Sequence, residues 1–259
     1  MTRAMHILGW VVAAFVAAPL LIVVPISFSD APSLEFPPPS WGLRYYAAFF
    51  SDPRWIQPTI NSLLIATAVA VLTMALVTPA TFAIVRHRFG AKGAVNLLLM
   101  LPLVVPHIVM AIGYYAFLSD VGLLHSFAGV VLAHTALSVP VAFLVLSASL
   151  KGFDRSLERA AMSLGAPPWK VFLHVTVPVL WPGFAAATLF AFVQSFDETV
   201  VAIFVSGSDS ETLPRRMFDS IRMQADPVIA VVSTLLFGVV LLLALAAMLR
   251  RRAASGPRG

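Results

Sequence analysis

Asp154-Arg-Ser-Leu-Glu-Arg-Ala-Ala-Met-Ser-Leu-Gly-Ala-Pro-Pro-Trp-Lys170 is a polar, helix-forming stretch set between two long apolar runs, Phe127 to Leu150 and Val179 to Val205. The flanking runs decide the fold. A helix rising 1.5 Å per residue needs roughly 20 apolar residues to cross about 30 Å of hydrocarbon. Four further stretches meet that length: Ile7 to Phe28, Asn61 to Val85, Ala94 to Leu118 and Val228 to Leu249. Apolar residues make up 59% of the 259 and charged residues 11%, with a mean hydropathy of +0.91, which excludes an ordinary soluble domain.

The apolar runs do not alternate as the strands of a membrane barrel do, and a backbone in lipid must satisfy its own polar groups, so the spans read as helices. The expected fold class is all-α, a polytopic membrane protein with about six transmembrane helices in one domain over residues 1–259. No internal repeat or low-complexity tract interrupts it. The chain has no cysteine, which leaves neither a disulfide framework nor a thiolate metal site.

Charge placement sets the expected orientation. With both termini on one side, that side carries Arg3, then Arg86, Arg88 and Lys92, then Lys151, Arg155, Arg159 and Lys170, then Arg250, Arg251, Arg252 and Arg258. These are twelve of the 17 basic residues. The other side holds Arg44, Arg54, Arg215, Arg216 and Arg222 beside eight acidic residues. The positive-inside tendency therefore places both termini and the 151–178 segment in the cytoplasm, and the net charge of +5 reads as topology, not as a nucleic-acid surface. The first run is longer than a signal-peptide core and lacks an Ala-x-Ala cleavage pattern, so it reads as a retained span. Residues 29–60, a turn near Asp120 and residues 206–226 fall outside; residues 86–93 and 151–178 fall inside.

Within the polar segment, Asp154 is a candidate N-cap, and Leu157, Ala160, Ala161 and Leu164 recur at helical spacing, leaving Arg155, Glu158 and Arg159 for other faces. Gly165 suits the left-handed position just past a helix end. Pro167 and Pro168 suit the start of a second helical piece with Trp169, Phe172 and Val175 on its apolar side. The expectation is a short helix, a sharp corner and a second short helix, packed under the bundle.

Leu157-Glu-Arg-Ala-Ala-Met-Ser-Leu-Gly-Ala166, continued by Val175-Thr-Val-Pro178 and Pro182-Gly183, closely resembles the EAA signature of bacterial ABC importer permeases, and the spacing from Ala161 to Gly165 matches it. Ser195-Phe-Asp-Glu-Thr199 followed by Thr212-Leu-Pro214 looks like the polyamine (spermidine/putrescine) subfamily, of the second-permease, PotC-like type. The resemblance covers nearly the whole chain. It departs at one place: Arg159 occupies the position of the signature's own glutamate, with Glu158 one residue earlier.

The resemblance implies a type I importer permease (MetI-like) fold, one half of a translocation pathway for a small solute in the bacterial inner membrane. It implies that Glu158, Arg159, Ala160, Ala161, Gly165, Ala166, Pro167 and Trp169 couple to a separate cytoplasmic ATPase homodimer. ATP and Mg would be bound by that partner, and this chain would be non-catalytic. A second permease subunit and a periplasmic or extracellular solute-binding protein complete the implied assembly. The absence of a G-x-x-x-x-G-K-[ST] loop agrees with an energy source on another chain.

A second constellation, Gln194, Asp197 and Glu198, falls inside the fifth apolar run at i, i+3, i+4, which puts the three on one face if that run is one helix. Asp197 would then lie roughly 24 Å along a helix entering near Trp181, in the outer half of the bilayer. Ionisable groups at such depth face a bundle interior or a water-filled cavity. Either they touch a cationic solute in transit or they bond neighbouring helices.

Other polar residues read more plainly. His107, His125 and His134 have no partner at i+3 or i+4 and read as packing or interface residues. Pro102 and Pro106 are expected to kink the third span, where a gating hinge would sit. Arg86, His87 and Arg88 read as a charge anchor. Thr212 to Arg216 is either part of a platform for the binding protein or a surface loop. A secondary transporter would show repeated halves and no docking hook, and a membrane enzyme would need carboxylates or a nucleophile converging from different spans. Polyamine is the expected solute, with iron(III), thiosulfate, phosphonate or opine as alternatives within the same importer class.

Overall fold

The computed structural model describes residues 3–223 and 226–254, with the side chains of Arg3 and of Arg250 to Arg252, and all of Arg258, outside the described residues. In chain order the helices are α1 (Arg3–Ser27), α2 (Arg44–Ser51), α3 (Pro53–Arg86), α4 (Lys92–Val104), α5 (His107–Asp120), α6 (Phe127–Lys151) and α7 (Ser156–Ser163). They continue with α8 (Pro168–Val171), a π-helical turn (Phe172–Thr176), α9 (Val177–Phe196), α10 (Val200–Val205), α11 (Leu213–Met223) and α12 (Val228–Ala254). Among the described residues no strand forms beyond an isolated bridge between Ser29 and Trp41.

Among the described residues, five helical stretches are long and apolar enough to cross a membrane: Met5–Ser27, Pro53–Arg86, Phe127–Lys151, Pro168–Phe196 and Val228–Ala246. The bent pair α4 and α5 supplies a sixth if taken as one span.

The chain divides into two compact units, residues 1–56 with 217–259, and residues 57–216. In the first, α12 packs on α1 and on α2, and the Tyr45 hydroxyl donates to the Ala31 carbonyl at 2.6 Å, tying α2 to the segment after α1. The second unit holds every residue of functional interest. Its densest seam runs between α6 and α9, where Ala142, Phe143 and Leu146 meet Ala187 and Ala191. Small residues let the two backbones approach, as is usual between membrane helices. Gly183 has no room for a side chain: a Cβ there would lie 2.4 Å from the Ser149 hydroxyl oxygen.

Two spans are broken, the third where a proline kink is expected and the fifth where a continuous helix is expected. The third, expected over Ala94 to Leu118, is broken, and its halves α4 and α5 are bent by 107°. Pro106 has no N–H to donate to the Pro102 carbonyl, and it forces Val105 into extended geometry (φ −79°, ψ 130°). The fifth, expected over Val179 to Val205, starts earlier and ends earlier. It runs from Pro168 through the π turn to Phe196, breaks over residues 197–199, and resumes as α10. The π turn, in which Val177 N–H reaches back to the Phe172 carbonyl, sits where Pro178 already removes a donor from the α ladder. The expected second short helix after Gly165 is therefore the opening of the fifth span itself. Residues 29–60 and 206–226, read as loops, also carry α2, the start of α3 and α11.

Candidate functional site

The elbow between α6 and α9 is built on a charge clamp. Glu158 on α7 is 7% exposed. Its Oε1 accepts a hydrogen bond from the Arg86 guanidinium at 2.9 Å and a second from the Thr176 hydroxyl. Arg86 closes α3, Glu158 lies on α7, and Thr176 ends the π turn, so one carboxylate oxygen ties the second span, the elbow helix and the base of the fifth span together. The guanidinium of Arg86 also lies over the rings of Phe82 at 4.7 Å and Phe153 at 5.6 Å, which gives its planar face a partner as well. Beneath the clamp, Leu150, Phe153 and Leu180 form a small apolar base with Phe82, Val85 and Phe184.

Burial by itself would raise the Glu158 pKa, but the hydrogen bonds from Thr176 and Arg86 and the charges of Arg86 and Arg155 overcome it and hold the carboxyl below its ordinary value. The sequence reading took Arg86 only as a charge anchor. Its partner is 72 residues away, a separation at which no local pattern can register.

The elbow has the expected corner at Gly165, but the cap of its first helix lies one residue past the expected Asp154. Asp154 accepts from the Ser156 N–H at 2.8 Å and from the Ser156 hydroxyl at 2.6 Å, and these bonds hold its own carboxyl below the usual range; the helix then begins at Ser156 with Arg155 in the cap position. At the far end Gly165 has φ +87°. Its N–H bonds to the Met162 carbonyl at 2.9 Å, and Ala166 N–H bonds to the Ala161 carbonyl at 3.2 Å. This is the paired closure that left-handed glycine permits at a helix end. Pro167 caps and Pro168 opens α8.

The packing direction is the reverse of the one expected. The apolar positions of α7 do not turn under the bundle: Leu157 is 44% exposed, Leu164 89%, and Ala160 is exposed with Ala161 half-buried. Glu158, a residue expected to be left over for another face, is the one turned inward. Trp169 is likewise 60% exposed, while Val171 and Thr176 take the inward side of the second piece. Arg159, Met162 and Gly165 are exposed, and Ala166 and Pro167 are half-buried. The outward side of the elbow is thus an apolar patch of Leu157, Ala160, Leu164 and Trp169 rimmed by Arg155, Arg159 and Lys170. An exposed apolar patch with a polar rim marks an interaction surface.

The second constellation is rearranged. Gln194 is on the last turn of α9, Asp197 is its C-cap and Glu198 lies in the break, so the three do not form a stripe on one helix. Glu198 Oε1 accepts the Val201 N–H at 3.0 Å, capping α10 with its own side chain; this local bond is the alternative that outcompetes a continuous helix. The three residues nevertheless line one recess of about 450 Å³ together with His107, Phe190 and Val193. His107, read from sequence as a packing residue, opens α5 at the third-span break, and its Nδ1 stands 3.7 Å from Glu198 Oε2. The only sequence signal for this meeting is that Pro106 breaks one span and an Asp-Glu pair interrupts the other.

His134 is fully buried, its Nδ1 3.0 Å from the Ser195 hydroxyl, a packing role as expected. Of the Thr212–Arg216 stretch, Thr212 and Leu213 are buried, with Leu213 N–H bonded to the Ser62 hydroxyl at 2.8 Å.

Comparison with known proteins adds the family. The profile described as binding-protein-dependent transport system inner membrane component matches residues 80–255. The putrescine transport system permease protein PotI of Escherichia coli is 34% identical over 235 residues, covering 87% of this chain and 83% of that one. The spermidine/putrescine transport system permease protein PotC of Haemophilus influenzae is 32% identical over 237 residues, 91% of each chain, and PotC of Escherichia coli is 25% identical over 239 residues, 92% of this chain and 90% of that one. Among solved structures, a bacterial ABC transporter involved in the import of the acidic polysaccharide alginate shares the fold, with a TM-score of 0.68 over 97% of this chain and 98% of that chain at 13% identity. The chain belongs to the family of binding-protein-dependent transport system inner membrane components and is the permease component of an ABC importer.

Proposed function

We propose that this chain forms half of the translocation pathway of an ATP-driven polyamine importer, with putrescine or spermidine as solute, and that its elbow seats on a separate cytoplasmic ATPase. The observation that carries the reading is the elbow itself. It is fixed from behind by Arg86, Glu158 and Thr176, and it leaves Leu157, Ala160, Leu164 and Trp169 exposed. A rigid lever with an unpartnered apolar surface fits a force-transmitting contact better than a loop does.

In this reading an ATPase homodimer binds ATP and Mg, and its closure rocks the permease between inward-facing and outward-facing states; this chain performs no chemistry. A second permease completes the pathway, and a periplasmic or extracellular binding protein delivers the solute. Both termini and the elbow face the cytoplasm of a bacterial inner membrane. Arg159, in place of the signature's glutamate, meets the ATPase pocket as a cation while Glu158 stays inside. The named functions of the relatives support a polyamine, and the two carboxylates in the recess favour a cation over thiosulfate or a phosphonate.

The test is reconstitution of the full complex in proteoliposomes. A Leu164→Cys variant should cross-link to the ATPase, and ATP should drive uptake of putrescine or spermidine delivered by the loaded binding protein. A cross-link to no ATPase would overturn the coupling surface. Uptake of an anionic solute in place of polyamines would overturn the solute and leave the coupling intact.

A further inference from the structure

The basic residues read as cytoplasmic differ in what meets them. The Arg86 guanidinium is bonded to Glu158, Arg155 adds its charge to the same carboxylate, and Arg159 acts on Asp154. Arg88 and Lys92, at the turn that joins α3 to α4, have no such counterpart. Among the described residues neither forms an ion pair, and no aspartate or glutamate occurs in the sequence between Asp52 and Asp120. Arg88 is exposed; Lys92 is half-buried, and its Nζ donates to the His87 carbonyl at 3.3 Å. An ammonium carries three donors, so two remain after that bond.

The turn leaves room for an anion. A Cβ added at Gly90 or Gly93 would meet nothing within 4 Å, and Arg88, Phe89 and Ala91 are exposed around it. Past Lys92 the chain turns apolar. Helix α4 has no buried residue; Leu99 and Met100 pack toward the α6 and α9 core, while Leu97, Leu98 and Leu101 are 67%, 68% and 48% exposed. Asn96 is the exception. It is exposed one turn on from Lys92, at i+4 on the same face, where hydrocarbon begins and an amide without a partner is costly. Charge, amide and alkyl surface thus follow one another over about 13 Å of helix, in the order in which a phospholipid carries its phosphate, its ester carbonyls and its acyl chains.

We infer that this turn is a binding site for an anionic phospholipid of the inner leaflet, with the phosphate held by Arg88 and Lys92, the ester carbonyls met by the Asn96 amide and the acyl chains along Leu97, Leu98 and Leu101. A guanidinium fork takes a phosphate through two parallel bonds, and the lysine adds a compact charge beside it. Basic residues next to a span attract anionic headgroups, and here no carboxylate of the chain competes for them. A zwitterionic headgroup is disfavoured, because it brings a cation of its own to a site that already holds two. The lipid fixes the turn two residues from Arg86, at the membrane surface beside the clamp. The inference rests on the reading that residues 86–93 face the cytoplasm and adds the ligand they hold there.

The test is lipid retention by the assembled complex, purified in detergent containing equal amounts of phosphatidylglycerol and phosphatidylcholine and weighed intact by native mass spectrometry. Arg88→Gln and Lys92→Gln should each lower the ratio of retained phosphatidylglycerol to phosphatidylcholine about fivefold, the effect of removing one cation from an anionic surface. Arg54→Gln, whose parent residue already pairs with Asp52 at 2.7 Å, should leave the ratio unchanged. A ratio in the Arg88→Gln/Lys92→Gln double variant within about twofold of the parent's overturns the site. So does an equal fall in Arg54→Gln, which would make the effect one of net charge alone. Excess inorganic phosphate should not displace the lipid; displacement would reduce the site to an anion contact without acyl chains and overturn it. Loss of the ATPase from the double variant's complex would also overturn it, because the cations would then belong to a protein interface. The chain has no cysteine, so Gly90→Cys reports sidedness, with labelling by a membrane-impermeant reagent expected in inverted vesicles only. Labelling from outside intact cells would fail the orientation reading and with it the inner leaflet, a result separate from the lipid ratio.

Discussion

Glu158 and Glu198 stand near opposite ends of the Pro168–Phe196 helix, and both are more than nine-tenths buried, at 7% and 5% exposure. They are buried to opposite effect. Glu158 concentrates two donors on one oxygen, a guanidinium and a hydroxyl, so the desolvation of its charge is offset by bonds that also join three helices. Glu198 has one backbone donor on Oε1, while its Oε2 lies 3.7 Å from His107 Nδ1 in the lining of a recess. A carboxylate that takes donors from two other segments holds those segments together; one that bonds only its own neighbouring backbone shapes a local break.

The sharpest way to break this contrast is to remove each charge. Glu158→Ala leaves Arg86 largely buried without its partner, and losing one member of such a pair costs about 3 kcal/mol. The purified complex should melt at a clearly lower temperature, and ATP-driven uptake should be lost with the elbow's geometry. Glu198→Gln, which keeps the helix cap, should shift the melting temperature little. Equal thermal shifts in the two variants would show that both carboxylates are structural and would end the distinction.

Gly165→Ala probes the lever without touching its charge. Nothing lies within 4 Å of a Cβ added there, so the whole effect is the left-handed backbone at φ +87°, a penalty of about 1–2 kcal/mol for a residue with a side chain. The elbow should loosen, and uptake per ATP hydrolysed should fall while the solute recess is untouched. Thr176→Val is expected to be milder, about 1 kcal/mol for one hydrogen bond, because Arg86 remains on the same oxygen. If Thr176→Val instead matched Glu158→Ala in the melting assay, the hydroxyl and not the ion pair would be what fixes the elbow.

The same contrast explains what could be read from the sequence. Lengths and hydropathy were enough for the all-α class, and Gly165 with its proline pair was enough for the corner, because glycine and proline act on the local backbone. The direction of the elbow was misread. An apolar stripe at 157, 160, 161 and 164 is ordinarily a core face, but in a subunit of a larger assembly it can be the face left for a partner. The end of the fifth span was misread for a related reason: Val200 to Val205 stays apolar, so hydropathy runs through a break that one glutamate side chain makes by capping α10. Arg86 with Glu158 and His107 with Glu198 are pairs between distant segments, and their meeting is a property of the packed helices alone. Pro106 did mark the third-span break, although nothing local to it indicated a bend of 107°.

The weakest expected effect tests the clamp by pH. Glu158 has its folded pKa held below the ordinary glutamate value, so the folded state binds the proton less readily than the unfolded chain. Its contribution to stability is therefore complete above the unfolded value, about 4.3, and is lost as pH falls below that and through the lowered folded value. The melting temperature of the complex should change little from neutral to mildly acidic conditions on this account and then drop on further acidification. Glu158→Gln, which cannot titrate, should show a smaller drop over that acid interval. Asp154, held low by Ser156, acts in the same direction in both proteins and cancels in the difference. A Glu158→Gln complex whose acid loss equals the parent's would mean that the Arg86 and Thr176 bonds contribute no net preference for the ionised carboxylate, and the Glu158 half of the comparison would fail.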